Sequence, residues 1–186
     1  MKRILPLFAF FISLSFFSSA QFFKSSGAFG DSLSAIVNAY ASNFRSIQGK
    51  AMLYQEDPEM FQSTISLPGS SQCIISRYRS IKDTSASWQA VLYVGDNFDQ
   101  ARKIYRNTFK SLKKTAIKLA GNAAVHFEGT LEDPEENLRF ASTSLRLKTS
   151  QPRFEQFYTE IGLSNSNYEW IVVINIFSKP VLINED

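Results

Sequence analysis

His126 and Cys73 are the only histidine and the only cysteine of the chain, so the two side chains most often used to hold zinc or activate a nucleophile occur once each. A zinc site built from His and Cys wants about four ligands, more than this pair supplies. Carboxylate-only sites for harder cations stay open. The acidic runs Glu56-Asp57-Pro58-Glu59 and Glu132-Asp133-Pro134-Glu135-Glu136 lack the alternating ligand spacing and the turn glycine of a calcium loop, and they read as solvated hairpin turns. A Ser-His-Asp hydrolase would need His126, but no Gly-x-Ser-x-Gly elbow is present and His126 lies in a strand-like run, Ala124-Val125-His126-Phe127, which predicts a half-exposed strand histidine. Cys73 stands beside Ile74 and Ile75, with no basic neighbour closer than Arg77. That setting predicts a small buried hydrophobe, the alternative being an exposed thiol that links two chains. Gly27 to Gly30 has neither the lysine nor the preceding strand of a phosphate loop. The residues therefore assign no catalytic group, no cofactor and no metal, and they disfavour an enzyme.

The cations of the second helix are the strongest chemical signal. Arg102, Lys103, Arg106, Lys110, Lys113 and Lys114 fall within about 120° of a helix circumference, opposite its apolar side. No Asp or Glu occurs between Asp99 and Glu128. One reading is a face for anionic headgroups, envelope polysaccharide or an acidic partner. The other is a solvated face whose asymmetry suits the helix dipole, with Asp96 and Asp99 at its start and Lys113 and Lys114 at its end. Glu128, Glu132, Asp133, Glu135 and Glu136 could also compensate it within the chain.

The periodicity predicts a first helix capped by Asp31, with Leu33, Ile36, Val37, Tyr40, Phe44 and Ile47 on one face and Gly49 as its stop. Its outer side, Ser34, Asn38, Ala41, Ser42 and Asn43, is small and nearly uncharged, open to close approach by another surface. The second helix begins at Asn97, with Gln100 in the capping-box position. Strands are expected over residues 51–54, 60–67, 72–80, 88–94, 116–119, 124–131, 138–147 and 168–177. A short third helix is expected from Pro152, carrying Phe154, Phe157, Tyr158 and Ile161 and ended by Gly162. The last strand, Trp170 to Phe177, is too continuously apolar for an edge and belongs in the sheet centre, buried on both faces or against a partner.

The two segments opened by Gly30-Asp31-Ser32-Leu33 and Gly95-Asp96-Asn97-Phe98 align without a gap, placing Tyr40 on Tyr105, Phe44 on Phe109 and Ile47 on Leu112. Farther on, Glu56-Asp57-Pro58-Glu59 finds Glu132-Asp133-Pro134-Glu135, Phe61-Gln62-Ser63-Thr64 finds Phe140-Ala141-Ser142-Thr143, and Trp88 finds Trp170. Preserved order with growing spacing suggests an internal duplication of a helix-plus-three-strand unit, as repeats 30–94 and 95–177. The fold class expected is α+β: a two-layer domain with helices on one face of a mostly antiparallel sheet.

The N-terminus has the three parts of a secretory signal: Lys2 and Arg3, an apolar stretch from Ile4 to Phe17, and Ser18-Ser19-Ala20 before Gln21. The expected organisation is a signal at 1–20, a flexible leader at 21–29, one domain at 30–178 and a tail at 179–186. Lys2 and Arg3 are two of 20 basic residues set against 17 acidic ones, so the exported chain carries a charge near +1. That argues against nucleic acid as a partner. A lone cysteine allows no internal disulfide in an oxidising compartment, and the absence of an Asn-x-Ser/Thr acceptor fits a bacterial envelope. The leading expectation is an exported, non-catalytic binding module, periplasmic or secreted. A carrier of a small apolar ligand or lipid is the alternative, since 12 of the 17 Phe, all seven Tyr and both Trp lie beyond the signal. A hydrolase comes third. The partner and the oligomeric state stay open.

Overall fold

Asn97 ends an extended approach at φ −93° and its side chain accepts a hydrogen bond from the backbone N–H of Gln100 at 2.8 Å. This satisfies one of the donors left free at a helix start, and it launches helix α2, Phe98–Lys114. The computed structural model describes residues 26–52, 58–78, 85–121 and 124–178. The expected signal (1–20), the first part of the leader (21–25) and the tail (179–186) lie outside these residues.

Helix α1 spans Ser26–Tyr40, which corrects both ends of the expected element. Asp31 lies inside the helix, not at its cap. Phe29, read as leader, is buried in the core, and that anchor draws the helix N-terminal of Asp31. The helix closes well before Gly49, because Asn43 and Phe44 take left-handed φ values of 51° and 59°. The Phe44 N–H then bonds the Ala39 carbonyl at 2.8 Å and the Asn43 N–H bonds that of Tyr40 at 2.9 Å. Asparagine tolerates this cap conformation better than most residues, and Phe44, which follows it, is fully buried.

Among the described residues ten strands follow: β1 Gln48–Ala51, β2 Glu59–Ser63, β3 Gln72–Arg77, β4 Ala86–Gly95, β5 Ile117–Lys118, β6 Ala124–Val125, β7 Phe127–Glu128, β8 Phe140–Leu147, β9 Phe157–Ser166 and β10 Glu169–Ser178. Eight form one sheet in the order β1-β2-β3-β4-β10-β9-β8-β7, and β5 pairs only with β6. Every pairing is antiparallel. The fold is α+β, two helices with a large antiparallel sheet, in the expected class. The last strand lies at the sheet centre between β4 and β9, as its sequence required.

The third helix is the main correction. Only Pro152–Phe154 forms a helical turn, of the 3-10 type, and residues 157–166 are strand β9. Phe157, Thr159, Ile161 and Leu163 alternate inward, and ladders on both sides, from β8 and β10, satisfy the backbone that a helix would have satisfied alone. The run 124–131, read as one strand, breaks at His126: β6 serves the small sheet and β7 the large one.

Both helices cover the same face of the sheet. Tyr40 meets Phe157 edge-on with ring centroids 4.9 Å apart, Phe98 meets Trp170 at 4.8 Å, and the Tyr105 hydroxyl donates to Thr143 Oγ1 at 2.7 Å. Trp88, Ile75, Val172, Ile174 and Ile161 fill the layer between them and are fully buried. The small outer side of α1 is approached closely, as its composition allowed, by β5 of the same chain. Asn38 donates to the Lys118 carbonyl at 2.8 Å and accepts from the Ala120 N–H at 2.9 Å, while Ser34 Oγ accepts from the Lys118 N–H at 3.1 Å. Among the described residues no helix is long and apolar enough to cross a membrane.

Candidate functional site

The six cations read from the sequence all lie on α2, and the structure divides them into two rows. At 3.6 residues per turn, Arg102, Arg106 and Lys113 share one strip of the helix and Lys103, Lys110 and Lys114 share another, turned by about 80°. The first strip faces the acidic turn between β7 and β8. Asp133 receives Arg102 Nη2 at 2.7 Å and Arg106 Nε at 2.6 Å, with a further bond from Arg106 Nη2. Lys113 reaches the Gly129 carbonyl at 3.4 Å. The hydrogen bonds from Arg106 and then Arg102 hold the Asp133 carboxyl well below the usual carboxylate range. Two planar guanidinium groups on one carboxylate give a fixed geometry as well as charge.

The second strip is different. Lys103, Lys110 and Lys114 are exposed and take part in no ion pair among the described residues. At 1.5 Å rise per residue their row extends for about 16 Å along the helix. Beside it runs a surface groove of about 270 Å³ lined by Asp99, Arg102, Lys103, Arg106, Asn107 and Lys110. The apolar residues of α2, among them Ala101, Tyr105 and Leu112, are buried toward the sheet, so the groove offers charge and hydrogen bonds. Other charges pair locally: Lys148 with Glu128 at 2.9 Å and Lys118 with Asp31 at 3.8 Å.

Two further clefts were not legible in the sequence. A cavity of about 430 Å³ separates the start of α1 from the end of α2; Phe29, Ser34, Ala116, Lys114 and Lys118 are among its walls. A second, of about 380 Å³, is lined by Arg45, Gln48, Glu59, Phe61 and Arg77. There the buried Arg77 donates through Nη2 to the Asn43 carbonyl and to Gln48 Oε1, each at 2.9 Å. Nothing in the local sequence marks Arg77 as buried; the sheet register, which sets it opposite Glu59 and Ala86, puts it inside.

His126 is exposed on the link between β6 and β7, and its carbonyl accepts the Lys148 N–H at 2.9 Å. Cys73 is buried, with its sulfur 3.2 Å from Ser70 Oγ. The structure brings neither together with the α2 cations. Among the described residues no three His, Cys, Asp or Glu side chains gather where they could hold a metal ion. Compared with known protein families, curated proteins and solved structures, the chain matches none.

Proposed function

We propose that the protein is an exported, non-catalytic module that binds an anionic component of the bacterial envelope on the Lys103–Lys110–Lys114 row of α2. The observation that carries this reading is the split between the two rows. The chain spends an aspartate on Arg102 and Arg106 but leaves three lysines in line on an exposed face. A carboxylate three or four residues away can pair with a helix lysine; Asp99 stands so placed to Lys103, but no acidic residue of α2 stands so near Lys110 or Lys114. Ammonium groups on a rigid helix suit a partner with repeated anionic groups, since each contact is weak alone and they add when spaced on one scaffold.

The test is retention of the purified protein on immobilised dextran sulfate, a polyanion without defined stereochemistry, for the native chain and for the triple variant Lys103→Gln, Lys110→Gln, Lys114→Gln. Native retention that the triple variant loses supports the reading. Equal elution of the two at low salt removes the row from any binding role.

A second reading, a carrier of a small apolar ligand or lipid, is favoured by the 430 Å³ cavity between the helix ends, a size within the range of ligand pockets. Native mass spectrometry separates the two: adduct mass lost on denaturation supports the carrier, and a bare chain supports the binding module.

The mirrored sheet order, in which each half supplies a helix and then strands running from an edge to the centre, adds to the proposal that the halves arose by duplication. So do Tyr40 and Tyr105, equivalent in sequence and both buried under the helices. The match of Phe61 to Phe140 counts against it locally, because Phe61 packs against the core while Phe140 is exposed.

A further inference from the structure

The face of the sheet away from the helices has no described element over it. In β10 the side chains that point to that side are Ile171, Val173, Asn175 and Phe177, all partly buried, where an ordinary solvated face would alternate to polar residues. The apolar character concentrates toward one end. The register places Val94, Ile171, Ser164 and Phe140 side by side across β4, β10, β9 and β8. Val94 is 50% and Phe140 58% exposed, and Tyr168, at the adjoining hairpin tip, is 86% exposed.

The inner positions of the two apolar rows are complementary to their own reversal, and the outer positions of the first row bring one exposed apolar side chain onto another. The first reads large, large, small, large: Val94, Ile171, Ser164, Phe140. The next reads large, large, small, small: Val91, Val173, Gly162, Ser142. Turned over about an axis that runs along the strands midway between β10 and β9, each row meets its own reverse. Phe140 then lies over the partner's Val94, Ile171 over the partner's Ser164 and Val173 over the partner's Gly162. The third row is polar: Gln89, Asn175, Glu160, Ser144. Asn175 already accepts from Gln89 Nε2 through its oxygen at 2.8 Å, so its amide N–H groups are directed onward, and the same rotation sets the partner's Glu160 before them. In the last row Arg146 lies over the Tyr158 ring, 4.7 Å from its centroid. Glu160 and Arg146 are the charges within these rows, one of each sign, so two copies of the face do not repel.

We infer that this face is a symmetric interface with a second copy of the chain, two sheets stacked with their strands aligned. Aligned stacking about 10 Å apart is the ordinary arrangement of two antiparallel sheets, and a twofold interface must be self-complementary in this way. Four strands about 4.8 Å apart and about 25 Å long offer roughly 500 Å² of flat area per copy. The pair buries about 1,000 Å², the lower bound of a specific association. The inference does not depend on the lysine row, which lies on the helix side.

The experiment is light scattering on the purified full chain over a range of concentrations, combined with cross-linking. The native protein should reach twice the chain mass. The double variant Val94→Cys, Phe140→Cys should be joined into a covalent dimer by a short bismaleimide, which spans the ~10 Å between stacked sheets. Within one chain those positions are three strands, about 14 Å, apart, beyond its reach, and Cys73 is buried. Phe140→Asp should give a monomer, and adding Val94→Lys to it should restore the dimer by placing opposite charges across the axis. Both side chains are exposed, so circular dichroism should report an unchanged fold. A native chain that stays monomeric at every concentration, with no cross-link in the double-cysteine variant, overturns the interface. A dimer that Phe140→Asp leaves intact overturns it equally.

Discussion

Tyr105 is where the interior is most sensitive to a single group. Its hydroxyl donates to Thr143 Oγ1 at 2.7 Å, and the same oxygen accepts the Glu132 N–H at 2.9 Å, so one pair of side chains ties α2, β8 and the turn that carries Asp133. Burial is the main cause that pushes the Tyr105 phenol up to about 12, against the opposing pull of the Thr143 hydrogen bond. Burial raises Tyr40 in the same direction. A phenol whose folded pKa exceeds its unfolded value binds its proton more tightly in the folded state. Its contribution is whole below about 10 and is lost as pH rises from there toward about 12. The urea midpoint should therefore fall across that window, and Tyr105→Phe should flatten the fall. At neutral pH the same substitution should cost about 1 kcal/mol, the net worth of a buried hydrogen bond. Asn97→Ala, which removes the α2 cap, should also cost about 1 kcal/mol by denaturant unfolding. That cap was legible because Asn, a helical run and Gln three residues on form a local pattern. The Tyr105–Thr143 bond was not, since it joins residues 38 apart in the chain that nothing but the sheet brings together.

At the scale of elements, α2 holds a balance between internal and external anions. Asp133 occupies Arg102 and Arg106, so Asp133→Asn should release both and strengthen binding to dextran sulfate severalfold, while the lysine triple variant weakens it. The pairing is solvent-exposed and should add little to stability, so the thermal midpoint of the aspartate variant should move only slightly. Gly129→Ala, by contrast, should destabilise by roughly 1–3 kcal/mol in urea unfolding. A Cβ there would meet the Ser144 carbonyl oxygen at 2.6 Å, and backbone does not yield as a flexible side chain would. The elements that sequence reading placed best are those with one period. α2 repeats only at helical spacing, and β10 is long and branched. Residues 154–163 satisfy two periods at once: Phe154, Phe157, Tyr158 and Ile161 fit a helix, while Phe157, Thr159, Ile161 and Leu163 fit a strand. Neighbouring strands, absent from any local window, decide the contest. The early start of α1 has a similar cause, because Phe29 gains its place from the core and has no capping residue to announce it.

For the whole molecule, the layering was legible and the roles of its surfaces were only half so. The amphipathic α2 and the strands read at β4 and β10 called for one sheet face covered by helices, whereas β9 reads in sequence as part of a helix. The sequence also required a central β10 with apolar residues on both sides; which surface meets the second side is a matter of symmetry that a single chain does not spell out. The cations of α2 were visible as a group, but their division into a tied row and a free row depended on where the Asp133 turn folds back. The central claim is that the free row binds an anionic partner, and the most direct measurement is isothermal titration of the protein with dextran sulfate at rising salt. The account predicts affinity that falls steeply with salt in the native chain, because ion contacts between exposed charges are screened, and a weak, nearly flat dependence in the Lys103→Gln, Lys110→Gln, Lys114→Gln variant. Superimposable curves for the two proteins would contradict it.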